Sequence, residues 1–155
     1  MEIRKVWIPP VLALTACALM ATSASAQEHG TSVNILASQL HFQSFGAKGV
    51  DPKTEITAAD AYGKFTATQH GAFFKFSPGF VSPLHSHTYD YYAVILKGEM
   101  QNYEVGVKPI TMGPGSYWYQ IGKKAHTTSC ISKTPCEIFI VQGHGFDAQI
   151  PPKED

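Results

Sequence analysis

Between residues 71 and 145 the chain breaks into short apolar or aromatic runs, each closed by a turn signal. "GAFFKF" (71–76) ends at Pro78-Gly79, "YDYYAVILKG" (89–98) at Lys97-Gly98, and "GPG" (113–115) precedes "SYWYQI". "GKKAHTTSC" (122–130) and "CEIFIVQGHG" (136–145) complete the series. Runs this short and this rich in aromatic and β-branched residues read as strands, and turns at such spacing point to a sandwich or barrel. The expected class is all-β, with no strong helix. "FVSPLHSH" (80–87) reads as short and extended, with Pro83 marking an edge or bulge. "EMQNYEV" (99–105) is expected to pair with the strand before it across a tight turn at Lys97-Gly98. Residues 33–45 fit one or two strands or a short helix, and residues 48–63 read as loop.

A chain of 155 residues with 44% hydrophobic and 15% charged residues has room for one globular domain. Twelve basic and twelve acidic residues cancel, so no basic field is available to attract nucleic acid or anionic lipid. Residues 1–26 carry an export pattern: Arg4 and Lys5, an apolar run interrupted by Pro9 and Pro10, and a small-x-small Ala24-Ser25-Ala26 before Gln27. The interrupted run is shorter than the roughly 20 residues a membrane span needs. The expected organisation is therefore a signal peptide over 1–26 and one domain over 27–155, periplasmic or secreted, with no integral membrane span in the mature form. "LTAC" ending at Cys17 is a competing lipoprotein signal. Cys130 and Cys136 flank "ISKTP", and in an oxidising compartment they form a hairpin-like disulfide if their Cα atoms come within about 7 Å. Free buried thiols, or ligation of a metal by Cys130, are the alternatives.

His85 and His87 stand one residue apart, so on a strand they face the same side. Two imidazoles on one face are half of a metal site, and the third ligand must come from elsewhere. A bare His-x-His says little alone; the surrounding spacing adds more. Gly79 is followed by five residues and then His85-Ser86-His87, with Tyr91 and Gly98 at further fixed intervals. Gly115 lies eleven residues before His126, and Cys130 four residues after it.

Residues 79–130 thereby resemble the paired motifs of the cupin superfamily, of the RmlC-like kind. The resemblance implies a double-stranded β-helix, or jelly-roll barrel, whose interior holds a divalent transition metal (Fe, Zn, Mn, Ni or Cu) on His85, His87 and His126. It also makes a homodimer a reasonable expectation. Departures from the family pattern are specific: Tyr91 replaces the glutamate ligand, Ile121 the second-motif proline and Cys130 its asparagine. Tyr91 is the candidate catalytic residue, as ligand, proton donor or substrate-orienting phenol. Asp90 is the better ligand chemically, yet strand alternation turns it to the opposite face unless a bulge intervenes.

Gln120, Gln142 and His144 are candidates to support the ligands from behind. Tyr117, Trp118 and Tyr119 offer an aromatic wall. His29, His41 and His70 lack a partner at useful spacing and are read as surface residues. The function expected is a metal-dependent, dioxygenase- or lyase-like enzyme acting on a small oxygen-bearing molecule. A site without a carboxylate is more positive and suits an anionic substrate such as an enolate or carboxylate. The alternatives are a cupin that captures a small molecule or metal without turnover, and a metal-free structural domain.

Overall fold

A computed structural model describes residues 32–44, 51 and 54–153. The export segment expected over 1–26, with Cys17, and His29 lie outside them. All elements fall in one unit, Ile35–Asp155. They are a 3₁₀ turn (Ala37–Gln39) and strands β1 (Gln43–Ser44), β2 (Ile56–Tyr62), β3 (His70–Phe76), β4 (Tyr91–Lys97), β5 (Met100–Glu104), β6 (Tyr117–Gln120), β7 (His126–Cys130) and β8 (Cys136–Gln142). Among the described residues no helix is long and apolar enough to cross a membrane.

Six strands form an antiparallel sheet in the order β1-β2-β3-β8-β4-β6, and β5 and β7 form a second antiparallel pair. Period-two alternation decides which face of each strand is buried. Phe74, Phe76, Ala93, Ile95, Ile138 and Ile140 point inward, whereas Tyr92 and Val94 point out. Burying each large side chain of this set contributes about 1.5–3 kcal/mol. Isolated bridges at Val81–Ser129 and His85–His126 attach the segment before β4 to β7 and so extend the smaller sheet.

Two expectations are corrected. Residues 56–62 form β2 and not a loop; Ala58 and Ala59 are both buried, so the strand shows no alternation for a sequence reading to find. Strand β5 pairs with β7, not with β4. The turn at Lys97-Gly98 is a corner between sheets. Gly98 has φ +78, and a Cβ there would lie 2.7 Å from Cys136 Sγ and 2.7 Å from Ser132 Oγ. Only glycine fits both the backbone and the space.

Cys130, at the end of β7, is joined to Cys136, at the start of β8, with Cα atoms 5.8 Å apart. The disulfide ties the small sheet to the large one, four residues from His126 on the same strand. Cys130 is therefore no thiolate ligand.

Candidate metal centre

The His85–His126 bridge brings the two distant segments together. His85 N–H donates to His126 O at 3.1 Å, and His126 N–H donates to His85 O at 2.9 Å. Opposed residues in such a pair present their side chains side by side. His87 follows two residues on, with the same facing. The rings of His85 and His126 lie 4.3 Å apart, those of His85 and His87 4.8 Å, and those of His87 and His126 5.1 Å. All three residues are buried, and their ligand nitrogens lie within 4.8 Å of one another.

Each imidazole is oriented by a backbone carbonyl. His85 Nδ1–H donates to Pro83 O at 2.9 Å, and His126 Nδ1–H donates to Lys124 O at 3.0 Å. His87 Nδ1–H donates to Asp147 O. Carbonyls only accept, so the proton sits on Nδ1 and the lone pair on Nε2 in all three rings. The Nε2 atoms of His87 and His126 are buried with no protein partner. Buried polar atoms without a partner are rare and need an explanation. Three neutral nitrogens turned to a common point fit a transition ion, which nitrogen binds at about 2.0–2.1 Å. On one ion they would lie within about 4.2 Å of each other, so the rings need close only slightly.

Electrostatics agree with this protonation state. Burial, reinforced by the charge of His85, lowers His87 to about 4 and His126 to about 3. Burial also lowers His85. Neutral imidazole is the form that ligates.

Tyr91 is buried at the start of β4, its ring 5.1 Å from that of His87 and 6.5 Å from that of His126. Trp118 Nε1–H donates to its phenol oxygen at 3.3 Å, and Thr128 also bonds it. Burial pushes the phenol up to about 12, so it keeps its proton. From there a polar chain crosses the barrel. Thr128 Oγ1–H donates to Asn102 Oδ1 at 2.7 Å, and Asn102 Nδ2–H donates to Gln120 Oε1 at 2.9 Å. Gln120 Nε2–H reaches Lys124 O at 3.3 Å, the carbonyl that orients His126. Asn102 and Thr128 were not singled out from the sequence.

Asp90 turns outward, where its carboxylate accepts from Tyr119 O–H and Gly122 N–H, as plain alternation requires. Gln142 is buried opposite Tyr91 in the strand register, and its amide donates to Tyr89 O at 3.1 Å. His144 is exposed and stacks on Tyr89, so it does not face inward. Of the aromatic trio, Trp118 is buried, and Tyr117 and Tyr119 are exposed. His70 corrects the surface reading: it is fully buried, donating from Nδ1 to Thr68 O at 2.9 Å. It shares the inward parity of Phe74 and Phe76 on β3. His41 is exposed as expected.

Beside His85 and His87 lies a cavity of ≈ 60 Å³. That is room for about four waters. Phe146, Ala148 and Ile150, from the segment after β8, form part of its wall.

A family model for the cupin domain matches residues 72–142, a span that contains all three histidines and most of the barrel. The chain belongs to the cupin superfamily. This cupin is similar in structure to the polyketide cyclase RemF from Streptomyces resistomycificus, with TM-score 0.63 and 14% identity over 77% of this chain and 84% of that one. It is also similar to a predicted oxalate decarboxylase from Thermotoga maritima, with TM-score 0.60 and 20% identity over 72% of this chain and 99% of that one. A third likeness is to the DMSP lyase DddQ from Ruegeria pomeroyi DSS-3, with TM-score 0.55 and 15% identity over 68% of this chain and 57% of that one. At these identities the likeness is one of fold, and the jelly-roll barrel expected from the motifs is the one observed. Comparison with curated protein sequences gave no match.

Proposed function

We propose that this cupin is an exported metalloprotein that holds one divalent transition ion on His85, His87 and His126 and acts on a small oxygen-bearing molecule in the adjoining cavity. One observation carries the reading. All three imidazoles commit Nδ1–H to a backbone carbonyl and keep Nε2 for the interior. Neutral nitrogen donors suit Fe, Zn, Mn, Ni or Cu alike. A bound ion of this kind supplies Lewis-acid polarisation of an oxygen ligand, or oxygen chemistry if it is iron. The chain's own residues do the rest. Aromatic and aliphatic walls surround a seated ligand, and Tyr91, protonated and on the cavity wall, donates a hydrogen bond or a proton to it in place of Thr128. A dioxygenase- or lyase-like reaction fits these parts. The cyclase and lyase among the structural neighbours support turnover in such a barrel.

Export is supported by the pattern over residues 1–26 and by the Cys130–Cys136 disulfide, a bond that persists in oxidising compartments. Periplasmic or secreted placement follows, with lipidation at Cys17 the competing outcome. A homodimer through the large sheet is supported by its outer face, where Tyr92 and Tyr119 stack and stand exposed beside Val94 and Tyr117.

Capture without turnover is the second reading. It is favoured by the cavity's polar groups, which are already bonded to protein. Metal analysis of the purified protein is the first test. A stoichiometric ion is expected, lost in His126→Ala and kept in His41→Ala; a metal-free wild type overturns both readings. Product formation or oxygen uptake on β-dicarbonyl and phenolic substrates then separates turnover from capture.

A further inference from the structure

His85 and His87 form one part of the cavity wall, and the other walls decide what extends beyond them. Sixteen described residues line it, and none is Asp, Glu, Lys or Arg. Phe74, Phe80, Trp118, Ile138 and Ile140 set its character. The polar groups that reach the wall are engaged elsewhere. Ser82 Oγ accepts Thr128 N–H at 2.9 Å, Thr128 Oγ1–H donates to Asn102, and the Tyr91 oxygen accepts from Trp118.

Residues 146–150 sharpen this selection. Phe146, Ala148 and Ile150 face the cavity, while Asp147 and Gln149 between them turn away. The Asp147 carboxylate accepts from Thr88 N–H at 2.9 Å and Thr88 Oγ1–H at 2.7 Å. Gln149 forms a bridge with Ser86. The one acid in this segment is thus held on Thr88, next to His87, and does not line the cavity.

We infer that the site selects a small ligand with one oxygen-bearing head and an uncharged, apolar body of a few carbon atoms. The inference rests on the metal reading above, which gives the head its partner. A charged tail would lose its water and find no counter-charge, a heavy cost in a site of this kind. A cavity of ≈ 60 Å³ also limits the body to a few atoms. Sugar acids and ligands with an ammonium tail are rejected on charge, polarity or size.

Butanoate, 3-hydroxypropanoate and 3-aminopropanoate test this, because they share a carboxylate and chain length and differ at the tip: methyl, hydroxyl or ammonium. Each is titrated into the purified protein loaded with cobalt(II), and the visible band of the ion reports binding. Affinity is expected to fall in that order, by about tenfold or more from first to last. Ala148→Asp, at an exposed wall position, is expected to narrow the butanoate to 3-aminopropanoate ratio by several-fold while cobalt content is unchanged. Equal or tighter binding of 3-aminopropanoate by the wild type overturns the inference, as does an unchanged ratio in the variant. A protein that takes up no cobalt overturns the metal reading and this inference together. The cobalt content, measured before any carboxylate is added, separates that failure from a failure of selectivity alone.

Discussion

Gln120 and His126 donate to the same oxygen: Gln120 Nε2–H and His126 Nδ1–H both reach Lys124 O, at 3.3 and 3.0 Å. The glutamine thus fixes the carbonyl that fixes the His126 ring. Groups of this kind typically change metal affinity by about 10–100-fold when removed. Gln120→Leu is expected to weaken metal binding by about tenfold and to cost about 1–3 kcal/mol, since Asn102 Nδ2 loses its buried acceptor. Chelator competition and thermal unfolding measure the two effects.

The metal-free protein is expected to lose stability in acid over a defined window. Unfolded, His87 and His126 take a proton near 6.5; folded, they do so only near 4 and 3. The unfolded chain therefore binds more protons below 6.5, so this contribution is complete above that value and is lost as pH falls toward about 3. The loss is on the order of a few kcal/mol for each of the two rings, at about 1.4 kcal/mol per unit of displacement. Urea unfolding of metal-free protein at several pH values checks the sign. His87→Gln is expected to flatten the curve.

Both sulfurs of the Cys130–Cys136 bridge belong to buried residues. Reductant is expected to open the bridge slowly in the native state and rapidly once the protein is unfolded, as thiol labelling would show. Cys130→Ala with Cys136→Ala is expected to cost about 2 kcal/mol on the chain-entropy model for so short a loop. That corresponds to a fall in Tm of about 5–10 °C.

Tyr91→Phe removes the phenol oxygen and leaves the ring that packs on His87. Metal content is expected to be unchanged, and stability to fall by about 1 kcal/mol as Trp118 Nε1 loses its acceptor. Turnover is expected to fall by about a hundredfold or more if the phenol supplies a proton. Loss of metal in this variant would instead make Tyr91 a ligand.

The histidine cluster was legible because strand alternation puts His85 and His87 on one side and motif spacing adds His126. What the sequence could not display was the pairing of His85 with His126, a contact between distant segments that no local pattern encodes. Strand β2 was hidden by its alanines, which are buried on successive positions. The corner at Gly98 looks like a hairpin in sequence; the atoms packed against it, Cys136 Sγ and Ser132 Oγ, come from a segment distant in the chain. His70 was missed although the signal existed, since its position fits the inward phase of Phe74 and Phe76. The chain from Thr128 through Asn102 to Gln120 joins three strands and has no sequence signature.

X-ray absorption at the edge of the bound metal reads directly whether His85, His87 and His126 hold it. Three imidazole nitrogens at about 2.0–2.1 Å from the ion are expected, falling to two in His126→Ala. A shell dominated by sulfur, or one that keeps its nitrogen count in that variant, would contradict that ligation.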